Sequence, residues 1–208
     1  MDSTFYLPQT VNIPMPLYKA MKGRYFTGCA DSLDFTGEGA CAWCSLYNPA
    51  GSGVNLHVNE WTASSASSAF RAQVCLDASM PGEPNACSSI AAVNLSLNPL
   101  PQPKAQLLYA SGVKGEPQSA VLAAVRYGLA GTTVAVNEQG KFILPPESSF
   151  CVLLSSRQVS EATMHGCVTL GWWEEPVPRM SYYGSRSQRS YPRDAGPSGQ
   201  KKLPQSED

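Results

Sequence analysis

VNLHVN, residues 54–59, sets Val54, Leu56 and Val58 in alternation with Asn55, His57 and Asn59. A strand turns successive side chains to opposite faces, so this spacing predicts a β-strand with one buried side. FRAQVCL, residues 70–76, repeats the pattern, with Phe70, Ala72, Val74 and Leu76 set against Arg71, Gln73 and Cys75. Working outward, similar short segments occur at 24–28, 40–47, 104–110, 120–127, 132–137, 141–144, 149–155 and 166–174. Turn-forming pairs separate them: Asn48-Pro49, Pro81-Gly82, Asn98-Pro99, Lys114-Gly115, Gln139-Gly140 and Pro145-Pro146. Ten short strands spaced by turns predict an all-β fold, a β-sandwich or jelly roll. The proline-rich stretch 79–104 reads as a long loop crossing the sandwich.

Composition agrees with that reading. Seventeen glycines and seventeen prolines leave little room for long helices. Only 15% of residues are charged, against about 25% in an average chain, so copies of the protein repel one another weakly. Three regions are expected: residues 1–22 as an extended N-terminal arm, 23–175 as the β-sandwich, and 176–208 as a disordered tail rich in Arg, Ser, Tyr and Pro. The tail carries six basic and three acidic residues, and the body nine basic against thirteen acidic. Neither balance argues for nucleic acid as a partner of the body. No stretch approaches 18 apolar residues, so no membrane span is expected. Residues 1–22 lack the basic and apolar regions of a signal peptide, which implies cytoplasmic synthesis and reduced cysteines.

The residues that could carry chemistry do not form a recognisable set. Cys41 and Cys44 make a lone C-x-x-C on a predicted strand, where an offset of three points them to opposite faces. His57 and His165 are the only imidazoles, and nothing in the local sequence couples either to a thiol. Gly51-Ser52-Gly53 lacks the spacing and following helix of a phosphate loop. No catalytic residue, cofactor or metal is therefore expected. Trp172 and Trp173 should face opposite sides of their strand, leaving Trp173 exposed. With Trp61 it is the candidate contact for a ligand or partner. Seven cysteines leave at least one thiol unpaired within the chain, and Cys29, nearest the arm, is the candidate intersubunit thiol.

Several segments taken together, YNPAGSGVNL (47–56), LYASGV (108–113) with GEP (115–117), FILPP (142–146) through Ser149-Phe150, and GWWEE (171–175), resemble an uncharacterised family of small proteins from spore-forming bacteria with no assigned activity. The segment from Leu144 to Phe150 is also similar, more loosely, to the jelly-roll subunits of spore-surface appendages, whose N-terminal arm carries a linking cysteine. Residues 1–22 contain none. The resemblance implies a structural, self-assembling surface, fibre or particle subunit without catalytic activity, ending on a spore or particle surface. A carbohydrate-binding sandwich is the alternative. The partner is then a second copy or a carbohydrate.

Overall fold

The structure is a computed structural model and describes residues 12–156 and 162–178. One helix, α1 (Met15–Met21), precedes eleven strands. These are β1 (Tyr25–Phe35), β2 (Ala40–Tyr47), β3 (Val54–Ser65), β4 (Phe70–Leu76), β5 (Asn85–Ala86), β6 (Ile90–Ala92), β7 (Gln106–Lys114), β8 (Val121–Gly128), β9 (Thr132–Leu144), β10 (Ser149–Ser156) and β11 (Met164–Pro176). All paired neighbours are antiparallel. The five-stranded sheet runs β6-β1-β11-β3-β9 and the six-stranded sheet β5-β7-β2-β10-β4-β8.

Eight of these strands form a jelly roll. Strands β1 to β4 alternate between the sheets, and the later strands β8 to β11 interleave with them, as two Greek keys require. Strands β5, β6 and β7 extend one flank, and the first two lie inside the stretch expected to be loop. They are two and three residues long, so the alternation that marks a strand never develops there. Segments 132–137 and 141–144 join into the single strand β9. Gln139 and Gly140 both have positive φ, and they bend the strand instead of reversing it.

Between the sheets lies the core, centred on Trp61, Trp172, Phe70, Phe150, Leu33, Leu56 and Leu154, all fully buried. The two inner tryptophans are each tied to a buried carboxylate. Trp61 Nε1 donates to Glu138 Oε1 at 3.1 Å, and Lys141 Nζ lies 2.6 Å from the other oxygen. Trp172 Nε1 donates to Glu174 at 3.4 Å, and the amides of Lys104 and Ala105 donate to the same carboxylate at 2.8 and 3.0 Å. Those bonds fasten the end of the long connection to β11.

A second apolar cluster covers the outer face of the six-stranded sheet: Cys41, Trp43, Cys75, Ala110, Cys151 and Leu153. Ala78, Met80 and Ala120 pack on it from two loops, and Val113 from β7. Ser79 and Gln118 join those loops through paired main-chain bonds of 3.0 and 2.9 Å, and Trp43 Nε1 donates to Pro81 O at 2.8 Å. Cys41 belongs to this outer cluster and Cys44 to the core, so the C-x-x-C thiols do point apart.

The expected extended arm is partly helical. Pro14 and Pro16 exclude a central strand, but they sit at the start of α1, where the first amides have no helical partner and a proline costs little. The helix docks on its own body: Lys19 pairs with Glu175, Asn94 Nδ2 donates to Ala20 O at 3.2 Å, and the Arg24 amide donates to Lys19 O at 2.9 Å. Residues 1–11 of the arm and 179–208 of the tail lie outside the described residues.

Candidate functional site

Lys19 is buried, while Met15, Leu17, Tyr18 and Met21 on the same short helix are exposed, Met15 and Leu17 each at 53%. The helix is thus oriented with its cation inward and its apolar side outward, the reverse of an ordinary surface helix. The Lys19–Glu175 pair accounts for this. A single strong anchor fixes the rotation of a seven-residue helix, and the hydrogen bond and charge of Lys19 hold the Glu175 carboxyl below its usual range. Ile13 extends the apolar surface at one end. At the other, Asn94 bonds the helix and Leu97 and Pro101 close on Gly23, bringing in exposed Val93, Leu95 and Leu100 from the loop after β6.

Strands β8 and β9 each end their sheet, and they are joined through Gly128–Thr132. Val121, Leu122, Tyr127, Leu129 and Ile143 are exposed along them, Leu122 opposite Cys75 on the outer face of the six-stranded sheet and Ile143 opposite His57 on the outer face of the five-stranded one. Of the large hydrophobic side chains exposed among the described residues, all but Val177 lie either on α1 and its neighbouring segments or along β8, β9 and their connection. Strand β9 runs for 13 residues at the margin of its sheet, whereas the opposite margins are blunted by the short β5 and β6.

The tryptophan expectations need correction. Trp61 is fully buried, because a bulge between Val58 and Glu60 shifts the alternation and carries the odd-numbered residues inward. Trp173 does face away from Trp172, but it is only 4% exposed. His57 stacks on it at 5.1 Å, and Gly140 of β9 lies directly over the ring, where a Cβ would collide with it. Neither tryptophan can stack on a ligand. Cys29 is half-buried on β1, and the nearest sulfur is in its own chain, Cys167 Sγ at 3.5 Å. His57 Nδ1 bonds Gly140 O at 3.2 Å, and His165 Nδ1 lies 3.1 Å from Asp34. Among the described residues no group of three or more His, Cys, Asp or Glu side chains is placed to hold a metal ion. No helix among them is long and apolar enough to cross a membrane.

The model of a family of unknown function, DUF6143, matches residues 3–179. The chain belongs to that family. The DUF6143 match takes in α1 and all eleven strands, and it ends next to Val177–Pro178, where the chain's internal contacts divide. Both sets of exposed apolar side chains therefore lie within the DUF6143 region. No curated protein and no solved structure matches the chain.

Proposed function

We propose that the protein is a structural, self-assembling subunit without catalytic activity of its own, and that its partner is a second copy. The observation that carries this reading is the two unlike sets of exposed apolar side chains, one on α1 and the loop after β6, the other along the edge strands β8 and β9. Burying apolar area stabilises association by about 25 cal/mol per Å². A contact between two different surfaces is head-to-tail, so it continues into a ring or filament. The low charge of the chain opposes this only weakly. A place on a spore or particle surface, implied by the resemblance to appendage subunits, belongs to the same reading. Carbohydrate binding loses its proposed platform, since Trp61 and Trp173 are inside.

The test uses two variants of the full chain, Met15→Lys with Leu17→Lys, and Val121→Lys with Leu122→Lys. All four positions are exposed, so folding should persist. In sedimentation experiments the wild type should form concentration-dependent oligomers and each variant alone should be monomeric. Mixing the two variants should restore one contact and stop at a dimer. A wild type that stays monomeric at millimolar concentration would overturn the proposal.

A further inference from the structure

Three of the seven cysteines, Cys29, Cys87 and Cys167, are partly accessible, and the other four are buried. The accessible ones lie together. Cys29 on β1 sits opposite Thr169 of β11, which makes Cys167 its diagonal neighbour on the outer face of the five-stranded sheet. The Cys29 and Cys167 Sγ atoms are 3.5 Å apart, and Thr169 Oγ1 donates to Cys29 Sγ at 3.4 Å. Cys87 Sγ donates to the main-chain oxygen of Cys29 at 3.1 Å. Burial pushes the thiols of the other four up, most of all at Cys44 and Cys151.

We infer that Cys29 and Cys167 are a thiol pair that closes to a disulfide when the protein meets a small-molecule disulfide. A disulfide bond is about 2.05 Å long, so the sulfurs must approach by about 1.5 Å. The register of β1 against β11 shifts between Ala30 and Leu33, next to Cys29. Closure takes two exchange steps. The Cys29 thiolate attacks one sulfur of the reagent, the reagent's S–S bond breaks, and the released thiolate takes up a proton. Cys167 then loses its proton and attacks Cys29 Sγ, expelling the second reagent thiol. Two protein thiols are oxidised, and one reagent disulfide is reduced to two thiols.

The second step falls to Cys167, whose Sγ faces Cys29 Sγ at 3.5 Å. Burial first, and then its hydrogen bond and charge interaction with Cys29, push that thiol up to about 11. Once Cys29 carries the reagent it holds neither the thiol proton nor the charge that raised Cys167, so the second attack becomes easier. The product staples β1 to β11 and leaves Cys87 as the one accessible thiol.

Reduced full-length protein would be treated with oxidised glutathione at pH 8, blocked with N-ethylmaleimide, digested without reduction and analysed by mass spectrometry. The expected result is a Cys29–Cys167 cross-linked peptide from monomeric protein, with accessible thiols falling from three to one. Cys87→Ser should keep the cross-link, and Cys167→Ser should stop at a glutathione adduct on Cys29. A lasting glutathione adduct on Cys29 in the wild type, a cross-link through Cys87, or one joining two chains through Cys29 would each overturn the pairing.

Discussion

Gly140 shows how one residue decides whether a neighbour serves the surface or the core. Its φ of +75° and the Trp173 ring against its α-carbon both exclude a side chain. Gly140→Ala should therefore destabilise by about 2 kcal/mol or more, through strain and displacement of the ring, and chemical denaturation would measure it. The Trp173 fluorescence should shift to the red as water reaches the indole. Asn59 makes a similar point. The alternation assigns it to the wet face, yet the bulge buries it, where Nδ2 donates to the Tyr25 hydroxyl at 2.9 Å. Burial is the main reason that phenol is pushed up to about 12, and the Asn59 bond works the other way. Leu56→Ala should cost about 2–5 kcal/mol as a core truncation. Asn59→Ala should cost about 1–3 kcal/mol, far more than an exposed asparagine would. Equal stability of Asn59→Ala and wild type in urea would refute the buried bond.

At the scale of elements, β4 was legible from its one wet face and β2 from an apolar run buried on both. The limits expected for 40–47 and 70–76 coincide with β2 and β4. Others are longer than expected: β3 continues past Val58, where a bulge breaks the period of two, and β1 continues past Gly28. The diagonal thiol pair was invisible because the strand read at 24–28 stops one residue before Cys29. Helix α1 was missed because its residues follow no outward-polar pattern. Its orientation rests on Lys19 and Glu175, which gives it a pH dependence. The folded-state pKa of Glu175 lies below its unfolded value, so the contribution is complete above the ordinary glutamate range, near 4.3, and is lost as pH falls through the depressed value. Glu175 is 38% exposed, so screening should hold the effect below about 1 kcal/mol. Amide exchange in α1 should speed up in acid, and Glu175→Gln should show the faster exchange already at pH 7.

For the molecule as a whole, the jelly roll was readable from strand count and turn spacing, but the strand order was not, because pairing between distant segments leaves no local mark. The body ends at Val177, so removing everything after Pro178 should leave thermal stability within about 0.5 kcal/mol. Ending the chain after Ser156 should abolish the cooperative transition, since it deletes β11 from between β1 and β3. The same placement bears on how the protein is made. The last two strands fill the middle of both sheets, β10 between β2 and β4 and β11 between β1 and β3. A ribosome adds about 5–20 residues per second, so β1 waits on the order of ten seconds for the strand that lies beside it. During that interval Phe26, Leu33 and Phe35 have no completed sheet to cover them. The nascent chain is then a client for chaperones until its final strand emerges.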